Sequence, residues 1–99
     1  MIKVEFHPEA EQDLSEAKSW YRERSKLAAR AFATEFAYAV RQISSSPNRW
    51  PEDRPEERRF VLSRFPFSIL YRVRTNTIFI TAVAHQRRRP GYWRNCTSD

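Results

Sequence analysis

The residues best suited to chemistry are arginines, together with a histidine and a tyrosine near the end of the chain. Arg87, Arg88 and Arg89 follow His85 closely, and Tyr92 comes soon after them. Guanidinium groups bind phosphate oxygens and offset negative charge that develops during a reaction. Histidine and tyrosine can transfer protons. This set of residues is sufficient for metal-free cleavage of RNA by attack of a 2′-hydroxyl.

Arginine is also concentrated in one half of the chain. Residues 1–47 contain seven basic and seven acidic side chains, whereas residues 48–99 contain eleven arginines, no lysine and five acidic residues. The planar guanidinium group suits paired hydrogen bonds to phosphate or carboxylate. The net charge of +6 therefore favours a polyanionic partner, either nucleic acid or an acidic protein segment.

The same residues also have purely structural interpretations. A run of arginines after a strand is often a solvated segment that protects a sheet edge. His85 can cap or pack the end of a strand, and Tyr92 and Trp93 can fold back onto the core. The residue types alone leave both interpretations open.

Several other kinds of chemistry lack the residues they need. Gly91 is the single glycine, so phosphate-binding glycine loops are excluded. His7 and His85 do not have metal-ligand spacing, and Cys96 has no cysteine partner. The sequence thus predicts no metal and no cofactor. It also predicts a cytoplasmic protein without membrane association, because no apolar run approaches the ~20 residues of a membrane span and no signal peptide is present.

The N-terminal half predicts one strand and two helices. Residues 2–6 are typical of a strand. Pro8 and the acidic residues after it favour a helix over 8–24, and apolar residues at spacings of three and four predict a second helix over 27–46. Three serines and Pro47 end that helix. With the short connection that these bounds leave, residues 25 and 26, the helices should form an antiparallel hairpin.

The C-terminal half predicts strands. Residues 48–57, NRWPEDRPEE, contain two prolines and dense charge, which predicts a loop with solvated acidic residues. The apolar period then changes to two, which predicts strands over 58–64, 67–74 and 77–85 before a basic tail over 86–99. The predicted fold class is α+β: an N-terminal strand, an antiparallel two-helix hairpin and a three-stranded antiparallel meander in a single domain.

A two-residue turn at Thr75 and Asn76 would set the register of the last two strands, because Asn tolerates a positive φ. The same register places His85 on the face that presents Arg72 and Ser68, while the helices pack on the opposite face. The predicted pairs are Val73 with Ile78, Tyr71 with Ile80, and Ile69 with Ala82.

Four segments, taken in order, resemble one known family. They are FHPEAEQDL followed by WY, SSPNRWP, RRFVLSRFPFSILYRV and AVAHQRRRPGYW. Together they span nearly the whole chain and are similar to the toxins of the RelE/ParE superfamily, with the ParE-like branch nearest. The resemblance implies two helices on a small antiparallel sheet. It also implies the toxin of a type II toxin–antitoxin module, bound by a cognate antitoxin in a hetero-oligomer.

The superfamily implies two possible targets. RelE-like members cleave mRNA on the ribosome without a metal, and ParE-like members poison DNA gyrase. In the cleaving members a catalytic arginine stands three residues before the strand tyrosine, and Ser68 occupies that position relative to Tyr71. A second catalytic arginine stands six residues before a catalytic tyrosine, and Gln86 occupies that position relative to Tyr92.

The resemblance therefore favours a growth inhibitor that acts on DNA gyrase. The alternative is a ribosome-dependent mRNA endonuclease, in which Arg59 replaces a family lysine and His85 and Tyr92 complete the catalytic set. A second alternative is a small nucleic-acid-binding accessory domain. The residues predicted to bind the target are Arg58, Arg59, Arg72, Arg87, Arg88, Arg89, Tyr92 and Trp93.

Overall fold

A computed structural model describes residues 2–86 of the chain. Its strands form one five-stranded sheet in the order β1-β5-β4-β3-β2. β1 runs parallel to β5 and the other neighbours are antiparallel. The predicted α+β class is confirmed. The elements are β1 Lys3–Phe6, α1 Pro8–Arg24, α2 Lys26–Ser45, β2 Glu52–Arg54, β3 Glu57–Val61, β4 Phe67–Arg74 and β5 Thr77–His85.

The predictions made for the end of the chain lie outside the described residues. They concern Arg87, Arg88, Arg89, Tyr92 and Trp93.

Ser25 alone connects the two helices. Its backbone N–H donates to the carbonyl of Tyr21 at the end of α1, and its Oγ accepts the N–H of Ala28 at 3.1 Å in the first turn of α2. One residue thus ends the first helix and caps the second. The predicted connection is longer than the observed one, because this double role lets a single residue link the helices.

Loss of the Ser25 cap should be measurable. Ser25→Ala leaves the Ala28 N–H without its acceptor, so we expect about 1 kcal/mol of destabilisation and a melting temperature lower by roughly 4–8 °C. Thermal melting followed by circular dichroism tests this. Ser25→Asp keeps an acceptor and should melt close to the parent; equal loss in both variants would contradict a capping role.

Aromatic rings fill the space between the helix hairpin and the sheet. Phe32 of α2 lies 5.3 Å from Phe65 and 5.5 Å from Phe67, measured between ring centroids. Tyr21 of α1 lies 5.2 Å from the same Phe65 ring. Offset and edge-to-face contacts of this kind add to the free energy gained by removing the rings from water. They hold the hairpin against the start of β4.

The connection between β3 and β4 is held by a glutamate of α2. Glu35 is 8% exposed, and its Oε2 accepts the N–H groups of Ser63 at 2.7 Å and Arg64 at 3.0 Å. Its Oε1 lies 3.0 Å from Arg64 Nε. Burial alone raises the pKa of Glu35, but the hydrogen bonds from Arg64 and Ser63 lower that pKa below its ordinary value. The carboxylate is therefore a charged anchor for the loop.

A short edge strand lies where a loop is predicted. β2 pairs with β3, with Glu52 opposite Arg58 and Arg54 opposite Glu57. Glu56 has a φ of 65°, which turns the chain tightly between the two strands. The loop prediction is wrong here because β2 has no apolar pattern: its three residues are all exposed, and only pairing with β3 makes it a strand.

The turn at Thr75 and Asn76 is confirmed, with a φ of 60° at Asn76. The register also matches the prediction next to the turn, where Val73 faces Ile78 and Tyr71 faces Ile80. It then shifts, because Leu70 faces Ala82 and Ile69 faces Val83. Thr81 is the extra residue of a β-bulge. The predicted pair of Ile69 with Ala82 is therefore wrong.

The bulge exchanges the faces of the last residues of β5. Val83 joins the core between sheet and helices, whereas Ala82 and Ala84 form a separate cluster with Leu70 on the other side. His85 lies opposite Phe67, with its ring 5.0 Å away. The prediction that His85 shares a face with Arg72 and Ser68 is wrong, because the extra residue reverses the alternation beyond it.

Two carboxylates support the bulge from opposite sides of the sheet. Asp13 of α1 accepts the N–H of Val83 at 3.1 Å. On the other side, the Thr81 hydroxyl lies 2.7 Å from a carboxylate oxygen of Glu57 and 3.2 Å from the carbonyl oxygen of Leu70. These contacts provide partners for polar groups at the disrupted part of the ladder.

Candidate target-binding face

The outer face is the side of the sheet that is opposite to the helices. Arg59 of β3 lies across from Leu70, and Val61 lies across from Ser68. Arg72 lies across from Phe79 of β5. Side chains alternate along a strand, so the outer face presents Arg59, Ser68 and Arg72 together, while Ile69 and Tyr71 between them point into the core.

Two donors on the outer face lack hydrogen-bond partners among the described residues. They are the Nε of Arg59 and the Oγ of Ser68, and both atoms are buried. The nearest carboxylate to Arg59 Nε is that of Asp53, at 3.7 Å, which is too long for a good hydrogen bond. Unpartnered buried donors are uncommon. Because both atoms are buried, the groups that this part of the sheet offers to an acceptor-rich partner are the partly exposed guanidinium groups of Arg59 and Arg72.

Glu57 is an outer-face residue that the sequence interpretation missed. The sequence predicts a solvated residue, but Glu57 is 2% exposed and contacts the Thr81 hydroxyl. The spacing of two residues between Glu57 and Arg59 could have indicated this position, because it places both side chains on one face of a strand. A buried carboxylate there lowers the positive potential of the neighbouring arginine and constrains the bulge.

Arg58 lies on the opposite side from Arg59 and is used within the structure. Its guanidinium donates to the carbonyl oxygens of Asn48 and Trp50, and one nitrogen lies 3.9 Å from Glu52. These contacts tie the segment after α2 to the sheet. The sequence analysis groups Arg58 and Arg59 together as target-binding residues. Because side chains alternate along a strand, two neighbouring residues face opposite sides of the sheet.

Tyr71 ties down the same segment. Its hydroxyl donates to the carbonyl of Pro47 at 2.8 Å. Burial raises the pKa of Tyr71 to about 12, partly opposed by the positive charge of Arg58. The strand tyrosine is therefore a structural donor in the core.

The predicted catalytic residues do not come together in the described part of the chain. Arg59 lies on the outer face, whereas His85 lies against Phe67 on the helix side. After His85, the N–H of Gln86 donates to the carbonyl of Pro66 at 2.8 Å. The third predicted residue, Tyr92, lies outside the described residues.

Within residues 2–86 there is no group of three or more histidine, cysteine, aspartate or glutamate side chains arranged to hold a metal ion. None of the helices in that range has the length and apolar character needed to cross a membrane.

Solved structures with a similar fold include a chain of a toxin–antitoxin system and the toxin RelE. A chain of the chromosomal ParDE toxin–antitoxin system of P. aeruginosa is 22% identical, with a TM-score of 0.74 over 86% of this chain and 96% of that one. The isolated E. coli RelE toxin is 13% identical, with a TM-score of 0.58 over 99% and 98% of the two chains. A mutant of E. coli RelE in complex with a peptide of the antitoxin RelBc is 12% identical, with a TM-score of 0.56 over 95% and 93%. These likenesses establish the shared fold.

The sequence itself matches a family. No curated protein is significantly similar to the chain. The sequence model of the ParE toxin of the type II toxin–antitoxin system parDE, however, matches residues 4–90. This range includes both helices, all of the sheet except Lys3, and the three arginines that follow the last strand. The chain therefore belongs to the ParE toxin family of type II toxin–antitoxin systems.

Proposed function

We propose that this ParE-family toxin inhibits growth by acting on DNA gyrase, and that a cognate antitoxin neutralises it in a hetero-oligomer. The outer face would contact the target through Arg59 and Arg72. Arg87, Arg88, Arg89, Tyr92 and Trp93 remain predicted target contacts. Arg58 supports this surface indirectly, because its guanidinium is bound to the segment between α2 and β2.

One observation favours gyrase over RNA cleavage as the target. His85 and Arg59 lie on opposite sides of the sheet, so the candidate proton donor is separated from the candidate phosphate ligand. General acid–base catalysis requires the group to reach the reacting oxygen directly or through one water. Ser68 and Gln86 also occupy positions where the resemblance to cleaving toxins would place arginines.

The alternative function is ribosome-dependent mRNA cleavage. The RelE-like structural neighbours have the same fold, and the partly exposed guanidinium groups of Arg59 and Arg72 could bind a phosphodiester. A small nucleic-acid-binding accessory domain is a second alternative, which differs in that its expression should not stop growth.

Two assays on the purified toxin separate the targets. We expect it to block supercoiling of relaxed plasmid by gyrase and to leave mRNA intact on translating ribosomes, as read by primer extension. Plasmid relaxation by a topoisomerase of a different type controls for nonspecific DNA binding by a basic protein. Specific cleavage of mRNA in the ribosomal A site would contradict the proposal if the cleavage rate fell by about 10²–10⁴-fold in His85→Ala or Tyr92→Phe. A loss of that size is usual when a proton-transfer group is removed.

A further inference from the structure

Four residues of the outer face are buried, although the helices lie on the opposite side of the sheet. Ser68 and Leu70 of β4 lie across from Ala84 and Ala82 of β5. These four residues form a two-by-two block on adjacent strands, the outer block, and none of them is more than 3% exposed. Arg59 of β3 is paired with Leu70 only. The open face of an antiparallel sheet is normally in contact with water, so the burial of the outer block requires a cover.

The described elements lie where they cannot supply that cover. Both helices contribute to the core on the opposite side of the sheet, and Arg58 and Tyr71 hold the segment after α2 on that side. The loop between β3 and β4 is bound to Glu35 of α2. The burial is also local, because Val61, a neighbouring outer-face residue on β3, is 53% exposed. The cover of the outer block therefore lies outside the described residues.

The segment 87–99 of the same chain begins close to the outer block. The N–H of Gln86 donates to the carbonyl of Pro66 at 2.8 Å, which fixes the point where the segment starts. An extended chain advances about 3.3 Å per residue, so the path from Gln86 to Trp93 can span roughly 23 Å. Along the strand, Ala82 lies only about 13 Å before Gln86. The segment is long enough to fold back over the whole block.

The sequence of that segment suits such a cover. Arg89, Pro90, Gly91 and Tyr92 have proline and glycine at the second and third positions, as in a type II turn that reverses the chain. Trp93 follows directly, and neighbouring residues of an extended chain face opposite ways. One ring can then face the sheet, where the small side chains of the outer block leave room for it. The indole ring has the larger apolar surface of the two and is the better cover.

A second copy of the chain fits the outer block less well. A stable interface has roughly 20–30 residues on each side, whereas the outer block has four. Each copy also has a net charge of +6, which opposes association. One ring of the same chain reaches the block without the entropic cost of bringing two molecules together.

We propose that residues 87–99 fold back across the outer face with the Trp93 ring on the outer block, and that this holds the three arginines after Gln86 beside Arg59 and Arg72 as one target-binding surface. The docking rests on the burial of the outer block, and the role of the surface rests on the proposed function. A segment that is already fixed loses less conformational entropy when it binds. Trp93 is thus a positioning residue for the arginines.

NMR of the full-length toxin with ¹³C-labelled alanine and leucine methyl groups tests the docking. We expect nuclear Overhauser effects (NOEs) between the indole protons of Trp93 and the methyl groups of Leu70, Ala82 and Ala84. These methyl resonances should also shift in Trp93→Ala, because the ring current of the indole is removed. Trp20→Ala is the matched control, since Trp20 is an exposed residue of α1, and it should leave the same resonances unchanged.

Inhibition of supercoiling by gyrase tests the positioning role. Trp93→Ala should need about 10-fold more toxin for half-inhibition, because the arginines must then be ordered during binding. Trp93→Phe retains an aromatic ring and should stay within about 3-fold of the parent. The assay is run below the melting temperature of every variant, so that lost inhibition is not lost fold. A Trp93→Ala toxin that melts at a lower temperature but inhibits as well as the parent would overturn the positioning role.

The outcomes separate the docking from the proposed function. NOEs to the outer block in a toxin that leaves gyrase active would support the docking and overturn the gyrase proposal. If these NOEs are absent and the methyl resonances do not move in Trp93→Ala, the docking is wrong whatever the toxin does to gyrase. NOEs from Tyr92 instead would overturn the choice of ring. Contacts that increase with toxin concentration would assign the cover to a second copy and overturn the choice of occupant.

Discussion

Loss of both outer-face arginines should nearly abolish growth inhibition while the fold persists. Each charge-assisted hydrogen bond contributes about 1.5–3 kcal/mol, and each 1.4 kcal/mol is tenfold in affinity. The double variant Arg59→Ser with Arg72→Ser should therefore bind its target at least ~100-fold more weakly. Stability should change little, because the Arg59 contact with Asp53 is 3.7 Å long and both side chains are partly exposed, and such pairs contribute at most about 1 kcal/mol.

The measurements are viable counts after induction, inhibition of supercoiling, and melting temperature. Arg30→Ser with Arg41→Ser is the matched control, since it removes the same charge from exposed positions of α2. The control should remain toxic. If the outer-face variant melts normally and kills as well as the parent, the outer face is not the target-binding surface.

Glu35→Gln should cause the largest loss of stability. The carboxylate accepts two backbone N–H groups, the Ser63 hydroxyl and the Arg64 side chain, whereas an amide has one acceptor oxygen and adds donors beside them. We expect a loss of about 2–4 kcal/mol, as found when a buried, charged hydrogen-bond network is broken. The melting temperature should fall by roughly 10–25 °C for a domain of this size.

The same substitution should change the dependence of stability on pH. The pKa of Glu35 is lower in the folded protein than its ordinary value of 4.5, so the unfolded chain binds a proton first as pH falls. The contribution of Glu35 is thus fully present above the unfolded pKa and is lost as pH falls below about 4.5 through the folded pKa. The free energy of unfolding can be measured by urea titration at a series of pH values from 7 to 3. Plotted against pH, it should fall less steeply in Glu35→Gln than in the parent.

Glu23→Gln is the control for this measurement, because its side chain is 77% exposed. It should retain the parent's acid dependence and nearly all of its stability. If the free energy of unfolding of Glu35→Gln fell with pH as steeply as that of the parent, the acid sensitivity would have to arise from other carboxylates.

The sequence by itself determined the helices, the main strands and the turn between β4 and β5. Local patterns were sufficient there, because apolar residues at helical spacing, the break after Ser46 and the preference of Asn76 for a positive φ depend on neighbours along the chain. The same is true of the register near the turn, where Val73 and Tyr71 have the partners that a two-residue loop requires. The family resemblance, confirmed over residues 4–90, depends on the same segments.

Only the tertiary structure decided which candidate residues share a face. The bulge at Thr81 is supported by Asp13 and Glu57, and Asp13 is 70 residues from its partner Val83. No local pattern of β5 contains that information, because the extra residue is tolerated only when distant side chains bind the polar groups around it. A shift of one residue then moved His85 from the predicted face with Arg72 to the side of the helices. Residue types indicated which groups could bind an anion, and contacts between distant segments determined which of them lie together.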